Sequence, residues 1–159
     1  MKSNLIVFSL FVFLVGIFIS CSPETTTEVN TIESHEEYSN VEAAILDYVE
    51  GVYGVDSTRI ERSVHPELRK RGYWYSEEEQ KYYDNLNMTY EQLVTLAATW
   101  NAKGDQADEN SPKQIEIYDI NDRTASAKLT AVWGIDYFHL AKLDGKWYIM
   151  NVLWQSIQE

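Results

Sequence analysis

Residues 135–154 read IDYFHLAKLDGKWYIMNVLW, and this stretch decides the fold. Runs rich in β-branched and aromatic residues, which favour strands, stand on both sides of the dipeptide Asp144-Gly145. Asp-Gly between such runs is a strong signal for a two-residue turn, because a type I′ turn needs positive φ at both positions. The stretch therefore predicts a β-hairpin with strands at 135–143 and 146–154.

The pairing set by this turn divides the hairpin side chains between two faces. Counting outward from the turn places Asp136, Phe138, Trp147 and Asn151 on one face and His139 on the other. Both faces carry large apolar groups, and one helix layer covers only one of them, so the second face predicts a homodimer. Because a slip of one residue exchanges the two sets, the sequence leaves open whether Asp136 or His139 faces the interior.

The sequence predicts helices first, then two further strands, and then this hairpin. Apolar residues at helical spacing follow capping motifs at Ser39, Asp56 and Thr89. The period then changes to two, which predicts strands at 113–120 and 124–133. This order predicts an α+β fold in which a curved antiparallel sheet wraps N-terminal helices.

A basic cluster runs from the second predicted helix into the segment that follows it. Residues 69–87 show neither the helical spacing nor the period of two that is typical of a strand, and they are expected to be irregular. The cluster is interpreted as a solvated helix face paired with nearby acids, and the alternative is a docking spot for an acidic ligand or a bilayer surface. Its members are Arg59, Arg62, Arg69, Lys70 and Arg71.

The N-terminus is typical of an exported lipoprotein. Residues 5–19 form an uncharged run of fifteen residues, which as a helix spans roughly 22 Å and is shorter than a membrane core of about 30 Å. Residues 1–20 are therefore predicted to be a signal peptide. The single cysteine, Cys21, follows in a setting that resembles a bacterial lipobox, which predicts a lipid anchor at the bacterial cell envelope, outside the cytoplasm. Residues 21–39 are predicted to be a flexible, acidic, Thr-rich tether, and 40–159 a single domain.

Composition excludes several classes of function. The formal net charge is −12, from 25 acidic and 13 basic residues, and it disfavours nucleic-acid binding. One cysteine and three scattered histidines form no recognised metal-ligand pattern, and no phosphate-binding glycine motif is present. We therefore expect no metal, cofactor or nucleic acid.

Four segments resemble the putative lumazine-binding family of the nuclear-transport-factor-2-like superfamily. They are His65-Pro66, DYFHLAK at 136–142, DGKW at 144–147 and NVLW at 151–154, and the resemblance covers about residues 40–156. It implies a cone closed by a bent sheet, a cavity at the wide end, and frequent dimers through the outer face of the sheet. It does not decide function, because the superfamily includes isomerases, cyclases, dehydratases and members without catalysis.

Two residues of the hairpin are candidates for catalysis. Asp136 is the best candidate for a general base, since proton-transfer enzymes on this fold place an Asp or His inside the cone. His139 is the alternative if the opposite face lies inside. The competing interpretations are that Asp136 caps a turn and that His139 forms hydrogen bonds at a dimer interface.

A small planar ligand is the predicted partner of the cavity. Aromatic side chains stack on planar molecules, and a carboxylate or amide orients them, although core packing is the alternative role for each aromatic. Trp100 is a further candidate for stacking. The predicted ligand-binding residues are Tyr118, Trp133, Asp136, Phe138, Trp147 and Asn151.

Three functions are consistent with these patterns. The first is a lipid-anchored extracytoplasmic domain that binds a small ligand or another protein without catalysis. The second is a small isomerase, cyclase or dehydratase with Asp136 as general base. The third is a structural dimer whose cavity is filled by its own side chains.

Overall fold

The computed structural model describes the backbone of residues 25–158 and the side chains of 34–158. The predicted signal peptide and Cys21 lie outside these residues. Three helices and six strands form the domain. The helices are α1 (Thr25–Tyr53), α2 (Ser57–Ser63) and α3 (Tyr90–Ala97). The strands are β1 (Val64–Ser76), β2 (Lys81–Met88), β3 (Gln114–Ile120), β4 (Thr124–Ala131), β5 (Gly134–Leu143) and β6 (Lys146–Gln155).

All six strands join one sheet in the order β2-β1-β6-β5-β4-β3. The predicted α+β architecture is confirmed, because a curved, unclosed sheet packs against N-terminal helices. One detail differs, since β1 pairs with β6 in parallel while the other neighbours are antiparallel. No helix within residues 25–158 is long and apolar enough to cross a membrane.

The segment 69–87 was expected to be irregular, and that expectation is wrong. It contributes most of the hairpin formed by β1 and β2. Leu68, Lys70 and Gly72 are buried, whereas Arg69 and Arg71 are exposed, so β1 has the alternation of a half-buried strand. The alternation was not recognised in the sequence because Lys70, a charged residue, occupies one of the inward positions.

The basic cluster is consequently not one solvated helix face. Arg59 and Arg62 lie on α2 and both form ion pairs with Asp47 of α1. Lys70 lies on β1 with 6% of its surface exposed. The helix-face interpretation therefore fails for the strand residues, because their side chains alternate between the two faces of the sheet.

Helix α1 begins before the capping motif that was expected to start it. The helix runs from Thr25, so it includes most of the segment predicted as a tether. The Ser39 hydroxyl donates to the carbonyl of His35 one turn earlier, which places Ser39 inside the helix rather than at its cap. The caps predicted at Asp56 and Thr89 are confirmed.

The turn of the β5–β6 hairpin is the predicted one. Asp144 and Gly145 have φ values of 49° and 81°. The first pairs outward from the turn also agree with the prediction, including Leu140 opposite Ile149.

A bulge then shifts the register by one residue. Met150 has no partner in β5, so His139 lies opposite Asn151 and Asp136 opposite Trp154. The predicted pairs farther from the turn are therefore wrong. Asn151 shares the outer face with His139, while Asp136 is fully buried on the inner face, which resolves the choice between Asp136 and His139.

The core lies between α1 and the inner face of the sheet. Buried side chains from α1 pack against inward residues of β4, β5 and β6. The α1 residues are Val41, Ile45, Tyr48, Val49 and Val52, and the strand residues include Leu129, Phe138, Leu140, Ile149 and Val152.

Candidate functional site

A pocket of about 170 Å³ opens at one end of the core. Its walls come from α1, β1, α3, the turn between β4 and β5, the end of β2 and the end of β6. Half of the lining side chains are aromatic, and a lysine supplies the charged group. The lining residues are Tyr48, Val52, Lys70, Met88, Leu96, Trp100, Trp133 and Trp154.

A buried polar cluster lies at the base of this pocket. The Lys70 Nζ donates to the Tyr48 hydroxyl at 2.7 Å and to Asp136 Oδ1 at 3.3 Å. The Trp133 Nε1 donates to Asp136 Oδ2 at 2.9 Å. Asp136 is 0% and Lys70 6% exposed, so this is a buried ion pair, and the second carboxylate oxygen accepts from the partly buried Trp133.

The sheet register brings these side chains together. Trp154 on β6 lies opposite Asp136 on one side and opposite Gly72 on the other. In the next inward row, Val152 on β6 lies between Lys70 on β1 and Phe138 on β5. Every second residue of a strand faces the same side of the sheet, so these two rows are neighbours on the inner face. Together the two rows supply the ion pair and one wall of the pocket.

Gly72 is required for the position of the Trp154 ring. A Cβ atom at position 72 would lie 2.1 Å from indole atoms of Trp154, far inside van der Waals contact. The indole therefore packs directly against the β1 backbone. Its Nε1 is buried and has no hydrogen-bond partner in the described part of the chain. Such an unpaired donor costs about 1–3 kcal/mol.

Burial and charge act in opposite directions on Lys70. Burial lowers the pKa of Lys70 below its ordinary value, although the neighbouring Asp136 carboxylate acts in the opposite direction. The ammonium also lies 5.4 Å from the Tyr48 ring centroid and 5.5 Å from that of Trp154, contacts that favour the charged form. Burial and Asp136 raise the pKa of Tyr48 well above its usual range. The cluster is thus an ammonium–carboxylate pair with a neutral phenol.

Two of the predicted ligand-binding residues belong to this site. Trp133 lines the pocket and holds Asp136, which lies beneath it. Trp100, the further stacking candidate, also lines the pocket, with its ring 5.6 Å from that of Trp133. Phe138 and Trp147 are buried on the inner face but are not among the lining residues.

The remaining candidates lie away from the pocket. Tyr118 is 55% exposed on β3, at the edge of the sheet. His139 and Asn151 line a separate outer-face cleft of about 360 Å³. No described contact joins that cleft to the buried ion pair.

Sequence reasoning missed three residues of the site. Lys70 was assigned to a solvated cluster, although the spacing Leu68-x-Lys70-x-Gly72 was the signal that could have placed it inward. Trp154 was not a candidate, because counting outward from the turn without the bulge places it on the same face as His139. Tyr48 was not a candidate either, although it is 1% exposed and accepts a hydrogen bond from Lys70.

The described residues provide no evident metal centre. Among residues 34–158, no three His, Cys, Asp or Glu side chains lie close enough together to hold an ion. The groups that line the pocket can stack on a ring, form an ion pair and donate hydrogen bonds.

Comparison with known proteins gives one family and a set of similar folds. Residues 36–155 match the family described as "Putative lumazine-binding". No curated protein gives a significant match to the sequence.

Several solved structures are similar at low sequence identity. An NTF-2 like protein of unknown function from Silicibacter pomeroyi has a TM-score of 0.59 and 15% identity, covering 78% of this chain and 98% of that one. An NTF2-like protein with a cystatin-like fold from Novosphingobium aromaticivorans has a TM-score of 0.56 and 9% identity, covering 86% and 92%. A protein from the same organism described as a putative scytalone dehydratase has a TM-score of 0.54 and 11% identity, covering 83% and 89%. At these identities the likeness shows the fold alone.

Proposed function

The chain belongs to the putative lumazine-binding family, and from this premise we propose that it is a lipid-anchored, extracytoplasmic domain that binds a small planar ligand without catalysis. The ligand occupies the aromatic pocket, and the domain stays at the bacterial envelope through Cys21. The ligand class follows from the pocket, and the location follows from the N-terminal sequence.

The observation that carries the proposal is the buried pair at the base of the aromatic pocket. Asp136 accepts hydrogen bonds at both oxygens, from Lys70 and Trp133. Asp136 is fully buried and does not line the pocket, so it acts as a counter-ion that fixes Lys70 rather than as a base in contact with a ligand. The aromatic walls supply stacking and apolar contact, which suit binding.

A titration with lumazine tests the binding function. Quenching of tryptophan fluorescence by lumazine reports occupancy of a pocket lined by three tryptophans. Trp100→Leu should weaken binding about tenfold, because stacking on one ring contributes about 0.5–1.5 kcal/mol beyond area burial. Trp74→Leu is the matched control, since Trp74 is 48% exposed and stacks on Tyr83 outside the pocket. If Trp100→Leu and Trp74→Leu bound lumazine with equal affinity, the aromatic pocket would not be the binding site.

The enzyme alternative retains one supporting observation. Asp136 lies beside the pocket and is fully buried, which is where a general base would be placed on this fold. Native mass spectrometry of the purified protein would show any small molecule that it retains. That molecule is then incubated with the protein in D₂O, and loss of its C–H signals in the NMR spectrum would indicate proton abstraction. Loss of this exchange in Asp136→Asn would favour the enzyme.

A domain with a completely filled cavity is the third alternative. Phe138 and Trp147 fill the inner core, yet about 170 Å³ remains at its end. This free volume favours a ligand site over a purely structural domain.

The anchor is tested independently of the ligand. Expressed in a bacterial host fed labelled palmitate, the chain should incorporate label and sediment with membranes. Cys21→Ser should abolish both, because that thiol is the proposed attachment point. An unlabelled wild-type chain in the soluble fraction would contradict the anchor and leave the ligand proposal intact.

A further inference from the structure

We propose that the pocket selects an uncharged planar ring molecule with a carbonyl oxygen, and that this oxygen accepts a hydrogen bond from Lys70. The inference rests on the proposed ligand-binding function and names the chemical class of the ligand. Three features of the pocket support it: the unused N–H of Lys70, the charge balance and the size.

The pocket offers a hydrogen-bond donor rather than an acceptor. The Lys70 ammonium carries three N–H bonds, of which Tyr48 and Asp136 accept two. Lys70 lines the pocket, so its third N–H is the donor for a ligand oxygen there. Trp154 serves as an aromatic wall, because its buried Nε1 presents no surface that a ligand oxygen could contact.

The charge balance favours a neutral acceptor over an anion. Lys70 and Asp136 already cancel, and both are removed from water. An anionic ligand would place a second negative charge near Asp136 where solvent screening is weak, and one ammonium cannot neutralise both. The formal net charge of −12 adds long-range repulsion. A carbonyl oxygen accepts hydrogen bonds without this cost.

Volume and wall chemistry limit the ligand to one or two flat rings. The pocket volume of about 170 Å³ is close to that of an apolar cavity of about 150 Å³ that holds one benzene molecule. Pockets for drug-sized molecules are larger, at about 300–1,000 Å³. Trp100 and Trp133 meet edge to face at an interplanar angle of 88°, so a flat ring can stack on one while contacting the edge of the other.

Three probes of similar shape test the inference on the full chain in mild detergent, by isothermal titration calorimetry with detergent alone as the blank. Coumarin is a neutral bicyclic lactone, naphthalene lacks the carbonyl group, and coumarin-3-carboxylate adds a negative charge. Coumarin should bind roughly tenfold more tightly than either of the others. Equal binding of naphthalene and coumarin would overturn the inference but leave the pocket as a ring-binding site. Tighter binding of the carboxylate would assign an anion site instead. Binding of none of the three would overturn the proposed function as well.

Trp154→Phe keeps an aromatic wall and removes an N–H that has no surface open to the pocket. The substitution should leave the ratio of coumarin affinity to naphthalene affinity unchanged, because Lys70 recognises the carbonyl group. Trp74→Phe, on the exposed part of β1, should alter neither affinity. A selective loss of coumarin binding in Trp154→Phe would assign the recognition to Trp154 and overturn the role of Lys70.

A second variant tests Lys70 without leaving a buried charge unpaired. Lys70→Met combined with Asp136→Leu removes the ammonium and its counter-ion together. Coumarin affinity should fall roughly tenfold relative to naphthalene affinity in this double variant. An unchanged ratio of coumarin affinity to naphthalene affinity would show that Lys70 does not recognise the carbonyl group. If the double variant does not fold, the comparison of the three probes on the wild-type chain still decides whether the carbonyl group is recognised.

Discussion

Lys70 and Asp136 depend on each other because neither charge can reach water. Lys70→Met leaves a carboxylate without its cation, and Asp136→Leu leaves an ammonium without its anion, so each should lower the free energy of unfolding by about 3–5 kcal/mol. The double variant should lie within about 2 kcal/mol of the wild type, since an apolar pair replaces a pair that was costly to desolvate. Urea unfolding followed by circular dichroism measures the free energy of unfolding of the wild type, the two single variants and the double variant. Losses that simply add would show that the two charges do not stabilise each other.

Gly72 is the second single residue on which the site depends. Gly72→Ala should lower the free energy of unfolding by about 1–3 kcal/mol, because its Cβ would overlap the Trp154 indole. The same substitution in a Trp154→Val background should cost much less, since the clashing ring is gone. Chemical denaturation of the four proteins measures the coupling. Equal costs in both backgrounds would mean that the contact with Trp154 is not the cause.

The sequence singled out some residues of this pocket and not others, for definable reasons. Asp136 was singled out because it is an acid embedded in the strongest strand pair, and Trp133 because it is an aromatic residue next to that pair. Lys70 was missed because a lysine ordinarily lies at the surface, and its burial depends on a carboxylate 66 residues farther along the chain. Such a pairing appears in no local pattern.

At the scale of elements, Glu37 attaches α1 to the tip of the β5–β6 hairpin. One carboxylate oxygen accepts from Lys142 Nζ at 2.5 Å and the other from Trp147 Nε1 at 2.7 Å. The hydrogen bond from Lys142 lowers the pKa of Glu37, with the bond from Trp147 acting in the same direction. The contact therefore holds a part of α1 that the sequence had suggested was a tether.

Glu37→Gln should lower the free energy of unfolding at pH 7 by about 1 kcal/mol. Because the folded pKa is depressed, the contribution of this carboxylate is complete above the unfolded glutamate value of about 4.3 and is lost as the pH falls towards the folded value. The difference between wild type and variant should therefore shrink on acidification, as measured by urea unfolding between pH 7 and pH 3. Glu36→Gln is the matched control at an exposed neighbour. Equal effects of the two substitutions would contradict the attachment.

Elements were predictable where the local signal was complete. The Thr89 cap with Gln92 and the Asp144-Gly145 turn contain all of their determinants within a few residues. The bulge at Met150 has no such signal, because it depends on how β6 fits between β5 and β1. One unpaired residue was enough to place Asn151 and Trp154 on the wrong faces.

At the scale of the whole molecule, the helices cover only the inner face of the sheet. The outer face presents Tyr137 and Leu153, which lie opposite each other on β5 and β6 and are 48% and 50% exposed. Apolar groups at the centre of an uncovered sheet face are typical of a surface that another subunit covers. The homodimer predicted from the sequence would place two such faces together.

Tyr137→Lys should convert the proposed dimer into a monomer without unfolding it. A two-fold interface would bring the substituted position of one subunit close to that of its partner, so the change introduces charge repulsion and desolvation on both sides. The fold should persist because the side chain is half exposed and the inner core is untouched. Analytical ultracentrifugation measures the mass, and circular dichroism checks the fold. Val132→Lys is the matched control, since Val132 is 39% exposed at the turn before β5. A wild-type monomer, or a Tyr137→Lys protein that remains dimeric, would mean that the central outer face has some other role.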